Sequence, residues 1–88
     1  MRKIRVLIVD DHEIVREGLQ TLLSEEPEFE VVGLAGDSET ALSLVKQLNP
    51  DVVLMDLVLP GLDGIETTKR IMATNRAARV LVLTSYSD

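Results

Sequence analysis

Two kinds of segment alternate along the chain, and the alternation predicts its fold. Arg5 to Val9 carries Val6, Leu7, Ile8 and Val9 in an unbroken apolar run, as expected of a strand covered on both faces. From His12 to about Ser24 the apolar residues are Ile14, Val15, Leu19, Leu22 and Leu23, spaced as one helical stripe, with Arg16, Glu17 and Gln20 left for solvent. Pro27 closes that helix. Phe29 to Ala35 reads as a second strand, and its flanking Glu28 and Glu30 suit a sheet edge. Gly36-Asp37-Ser38 turns the chain and offers caps for a helix bearing Ala41, Leu42, Val45 and Leu48, which Asn49-Pro50 ends.

Val52, Val53, Leu54 and Met55 form a third buried strand that finishes at Asp56. A loop from Leu57 to Leu62 follows, with Pro60-Gly61 as its turn signal. Asp63 and Glu66 resemble a capping box opening a helix through Ile65, Thr68 and Met72, closed by Asn75. Arg79 to Thr84, with Val80, Leu81, Val82 and Leu83, is a fourth strand. Met55 and Met72 fit the apolar stripes and are expected in the core. Repeated strand–helix–strand units imply a parallel sheet, because parallel neighbours need a crossover and the crossover is right-handed in nearly all cases. The predicted class is α/β, an open, doubly wound parallel sheet, and no linker or low-complexity tract divides it.

Composition narrows the function without naming it. Nine basic residues against fifteen acidic give a net charge of −6, which argues against this segment itself gripping nucleic acid or an anionic membrane. Cysteine is missing, which excludes disulfides and thiolate metal sites. Met1-Arg2-Lys3 has the charge of a signal-peptide start, yet the apolar run behind it stops at Asp10-Asp11. No stretch approaches the roughly 20 apolar residues of a membrane span, so the expected location is the cytoplasm.

In an open parallel sheet, ligands gather beyond the carboxyl ends of the strands. The first strand ends in Asp10-Asp11, the third in Asp56 and the fourth in Thr84-Ser85. Adjacent strands lie roughly 4.8 Å apart, so these carboxylates can converge on one small volume. Crowded carboxylates repel, and a hard cation relieves them. Mg²⁺ is the natural candidate, since it prefers oxygen ligands and is commonly completed by phosphate oxygens. One carboxylate could then act as nucleophile and form an acyl phosphate, with the Thr84 hydroxyl donating to it.

The residues at these ends also carry a resemblance. Val9-Asp10-Asp11-His12-Glu13-Ile14-Val15-Arg16-Glu17-Gly18-Leu19 is similar to the first strand–helix junction of bacterial two-component response-regulator receivers, in particular the NarL/FixJ (LuxR-type) family. Pro50-Asp51-Val52-Val53-Leu54-Met55-Asp56 with Pro60-Gly61-Leu62-Asp63-Gly64 resembles the phosphoacceptor strand and its loop, and Val82-Leu83-Thr84-Ser85 the strand with the switch hydroxyl. The likeness implies a flavodoxin-like (CheY-like) receiver with strand order 2-1-3-4. It implies Asp56 as phosphoacceptor, Asp11 as direct Mg²⁺ ligand, Asp10 acting through water, and the backbone carbonyl of Val58 as a further ligand. Thr84 would be the switch hydroxyl, and Tyr86 would influence how fast water removes the phosphoryl group.

The implied partner is a sensor histidine kinase, with DNA reached only through a C-terminal effector domain, so the segment is read as a signalling module and not a conventional enzyme. The family carries a lysine and an aromatic switch residue on a fifth strand. Residues 1–88 are therefore read as the N-terminal part of a receiver, a single incomplete domain whose uncovered apolar surface favours a homodimer or other self-association.

Plainer readings stand beside these. Taken singly, Asp10-Asp11 is a helix cap, Asp56 a turn residue and Thr84 a strand residue; joint placement on three strand ends favours the site. A lone His12 in a first helical turn is expected to be solvated, and Arg16 and Lys69-Arg70 to line solvated faces. A rival Mg²⁺-dependent phosphatase of the haloacid dehalogenase type wants an aspartate two residues after the nucleophile, where this chain has Val58. A nucleotide-binding module wants a glycine- or hydroxyl-rich first loop, which Asp10-Asp11 opposes. A truncated or engineered half-domain serving folding or assembly is the third alternative.

Overall fold

The computed structural model describes residues 2–56 and 63–83. Its elements are β1 (Ile4–Val9), α1 (Glu13–Ser24), β2 (Phe29–Ala35), α2 (Ser38–Leu48), β3 (Val52–Asp56), α3 (Gly64–Thr74) and β4 (Arg79–Leu83). All strand pairs are parallel and the sheet order is β2-β1-β3-β4. This is the doubly wound order expected above, with the first strand between the second and third.

Alternation along the strands sorts the core onto two faces. On one, Leu7, Val9, Ala35, Val53 and Met55 meet Ala41 and Val45 of α2 and Ile71 of α3, each no more than 2% exposed. On the other, Val6 and Ile8 are buried beside α1. The helical stripes read from sequence are rotated in two places. No residue of α1 is fully buried; Ile14 and Leu22 are 83% and 63% exposed, while Arg16, Leu19, Gln20 and Leu23 sit half-buried. In α3 the inward positions are Gly64, Thr67 and Ile71, and Ile65 and Met72 face outward. Met55 is core as expected and Met72 is not, because the stripe that meets α2 runs one position earlier than the aliphatic residues suggest.

Local devices fix the helix ends. The Asp37 carboxylate accepts the Thr40 N–H at 2.7 Å and caps α2, while Asn49 ends it in the left-handed region at φ 49°. Arg5 Nη1 reaches across to the last carbonyls of that helix, 2.6 Å from Leu48 O and 3.0 Å from Asn49 O. The Asp63 carboxylate accepts the Glu66 N–H at 2.8 Å. The Glu66 carboxylate pairs with Arg70 at 3.1 Å. Buried between α2 and α3, Thr67 Oγ1 donates to Asp63 O at 2.8 Å and lies 3.0 Å from Ser38 Oγ, so a hydroxyl pair keys the two helices.

Candidate functional site

The register of the central strands brings the acidic residues together. Pairing of Val9 with Met55 sets the ends of β1 and β3 level, so Asp10 leaves the sheet beside Asp56. Asp10 and Asp56 are buried, 6% and 2% exposed, whereas the Asp11 side chain stays 36% exposed at the rim. The Asp10 N–H still donates to Ala35 O at 2.9 Å, which extends the β1–β2 ladder one residue into the site.

His12 belongs to this cluster. Its backbone N–H donates to Asp10 Oδ1 at 2.8 Å, the turn that an aspartate makes with the residue two positions on. Its ring Nδ1 lies 2.8 Å from the same oxygen, 3.1 Å from Asp11 Oδ1 and 4.0 Å from Asp56 Oδ2. The hydrogen bond to Asp10, then the charges of Asp11 and Asp10, raise the imidazole pKa above its ordinary 6.5. The side chain is 62% exposed, so the expectation of a solvated histidine holds for most of the ring; its Nδ1 edge is the exception.

Oxygens of Asp10, Asp11 and Asp56 and a ring nitrogen of His12 all lie within 4.8 Å of one another. Opposed ligands of an octahedral ion with bonds near 2.1 Å are about 4.2 Å apart, so this donor set is close to the size a small hard cation requires. Oxygen-rich, with Asp10 and Asp56 buried and Asp11 at the rim, the donor set has the chemistry that suits such an ion.

Arg16, read from sequence as a solvated position, instead donates from Nη1 to the backbone carbonyl of Asp10 at 2.6 Å. Spacing gave no signal of this, since a long side chain at a half-buried position can lie along several directions. Lys69 and Arg70 are exposed as expected. Val58, Pro60-Gly61, Thr84 and Tyr86 lie outside the described residues.

The class defined by this sheet and cup is an open parallel α/β module with an acidic strand-end site. The chain belongs to the response regulator receiver domain family, whose model matches residues 6–88. It is therefore a phosphoacceptor module of two-component systems. It is similar to the transcriptional regulatory protein LiaR of Bacillus subtilis (strain 168), 49% identical over 85 residues, covering 97% of this chain and 40% of that protein. Similarity extends to an enzyme, a protein-glutamate methylesterase/protein-glutamine glutaminase of Myxococcus xanthus (strain DK1622), 48% identical over 87 residues, 99% of this chain but 24% of the relative. The crystal structure of a LuxR-family two-component response regulator from Aurantimonas sp. SI85-9A1 superposes with a TM-score of 0.88 at 44% identity, over 97% of this chain and 61% of that one. The segment is thus common to regulators and to at least one group of enzymes, and it spans less than half the length of either relative.

Proposed function

We propose that Asp56 is the phosphoacceptor and that Asp10 and Asp11 hold a Mg²⁺ ion beside it. The observation that carries this reading is the convergence of the three carboxylates beyond the ends of β1 and β3, with Asp56 at the floor and Asp11 at the rim. Bound there, Mg²⁺ would offset the cup's negative charge so that an anionic phosphoryl group can approach. An Asp56 carboxylate oxygen forms the new bond to phosphorus. The bond from phosphorus to the donor's leaving atom breaks, leaving an acyl phosphate and the dephosphorylated donor. The natural donor in this reading is a phosphohistidine on a sensor histidine kinase. The Val58 carbonyl and the Thr84 hydroxyl are assigned, from the motifs alone, to the ion and to the phosphoryl group.

The output in the whole protein is proposed to be transcription control through an effector domain that contacts DNA, in keeping with the transcriptional regulators among its relatives. A methylesterase effector is the second reading, favoured by the identity to the Myxococcus protein. A cytoplasmic location is proposed, and among the described residues no helix is long and apolar enough to cross a membrane. Pairing with a second copy is supported by exposed apolar residues on β4 and α3, among them Leu81, Val82 and Ile65.

The test is intact mass after incubation with acetyl phosphate and Mg²⁺. The protein should gain one phosphoryl group and the Asp56→Asn variant none. Equal labelling of both would remove Asp56 from the role.

A further inference from the structure

Arg16 touches the site through the backbone of Asp11's two neighbours. Its own N–H donates to His12 O at 3.0 Å, as the first turn of α1 requires, and its guanidinium donates to Asp10 O at 2.6 Å. The carbonyls on either side of Asp11 are therefore both held by one residue. On the other flank, the Asp10 N–H is tied to Ala35 O. The carbonyl of the peptide linking Asp10 to Asp11 is held by the guanidinium, and the peptides before and after it are held through the Asp10 and His12 N–H groups, so the backbone that directs the Asp11 carboxylate is fixed. A hydrogen bond from a charged donor is about twice as strong as a neutral one, so this tie is the firmest of the three.

Gly36 supplies the room. A Cβ built at Gly36 would lie 3.0 Å from Arg16 Nη1, 3.8 Å from Arg16 Cζ and 4.0 Å from Asp10 O. A side chain there would occupy the channel through which the guanidinium reaches the carbonyl. The obstructed atom is the far end of a flexible side chain, so a branched side chain at position 36 would push the guanidinium away from the carbonyl at little cost to folding.

With the ion-binding role of Asp10 and Asp11 as its premise, we propose that Arg16 is a positioning residue that aims the Asp11 carboxylate at the divalent ion, and that Gly36 keeps its path clear. Neither residue touches the ion or the phosphoryl group. Removing the guanidinium leaves all three carboxylates in place but frees the peptide that orients one of them. Outer supports of this kind typically contribute about 10- to 100-fold to metal affinity.

The experiment is calorimetric titration of Mg²⁺ alone into the full chain and its variants, with melting temperatures taken in EDTA and amide exchange followed at Asp11 and His12. Arg16→Met should weaken Mg²⁺ binding about tenfold and speed exchange at those amides, and Arg16→Lys should recover part of the affinity. Gly36→Val should weaken binding in the native background and add nothing in the Arg16→Met background, because the two changes remove the same contact. A purely structural role would lower the melting temperature without shifting affinity well below it. Native Mg²⁺ affinity in both Arg16→Met and Gly36→Val would overturn the proposal while leaving the Asp56 reading intact. If the unaltered chain bound no Mg²⁺, both would fall together.

Discussion

Aspartates stand at both ends of this parallel sheet, and the two ends use them differently. At the amino ends, the Asp51 carboxylate accepts the Arg5 N–H at 2.9 Å and pairs with Arg2 Nη2 at 3.1 Å. The backbone of the same residue links neighbouring strands, its N–H donating to Arg5 O and its carbonyl accepting from Arg79 N–H. That carboxylate serves the protein's own structure. At the carboxyl ends, Asp10, Asp11 and Asp56 crowd together with His12 at their edge, three carboxylates within one small volume. The contrast teaches that a site is marked less by residue type than by carboxylates gathered against one another instead of each being spent on a backbone or arginine partner of its own.

The largest effect that would break this comparison is expected at Asp11. Asp11→Ala should lower Mg²⁺ affinity by about 100-fold or more, at least the upper range seen when an outer support is lost. Melting in EDTA should stay level or rise, since one repelling charge has gone. A marked loss of stability without metal would show that the carboxyl-end acids serve the fold after all.

Next in size is the opposite case. Asp51→Ala should cost roughly 1.5–3 kcal/mol in denaturant unfolding, the range for a hydrogen bond to a charged acceptor, here part-buried. Its Mg²⁺ affinity should match the parent. A change in affinity would mean that the two ends are coupled.

Helix caps give smaller effects and sharpen the scale. Asp63→Ala, which removes the acceptor for Glu66 N–H, should cost about 1 kcal/mol in the same unfolding measurement. For Asp37 the readout is pH. Its hydrogen bonds from Thr40 hold its pKa below the ordinary 3.8. A lowered folded value means that its stabilisation is present above pH 3.8 and is lost as pH falls through the folded value. Asp37→Asn, which can still cap, should flatten that part of the acid limb in melting curves and leave neutral stability close to the parent. An unchanged acid limb would assign that pH dependence to other groups.

Much of this architecture is legible in the sequence because strands buried on both faces need no choice of side. The runs at Val6–Val9, Phe29–Ala35 and Val52–Met55 all fall within strands, and Asp56 ends β3. The amphipathic helices were less legible. Periodicity reveals that α1 has an apolar stripe, but which side meets the sheet depends on neighbours, so Ile14 and Leu22 face outward while Arg16 and Gln20 turn partly in. In α3 the small polar Thr67 takes a wholly buried position because Asp63 O accepts its hydroxyl proton and Ser38 Oγ lies beside it, and the second contact spans 29 residues that no local pattern encodes. At the site, Asp10, Asp11 and Asp56 are legible as acids at strand ends, and the resemblance supplies the strand order that makes β1 and β3 neighbours. His12 was within reach of the sequence as the residue two after Asp10, where an aspartate turn places it. Arg16 was not, because its role depends on the vacancy left by Gly36 on another element.

The central place of β1 has a bearing on how the chain acquires its shape. β1 is made first, yet its first partner lies 25 positions on, Ile4 with Phe29, and its second 46 positions on, Val6 with Val52. Loop closures of that span must occur before either ladder returns any stabilisation, which slows assembly. A nascent chain therefore carries the apolar run Val6–Val9 without both of its partners until Val52–Met55 has been made, which leaves the segment that later forms the middle of the sheet open to misassociation on the way.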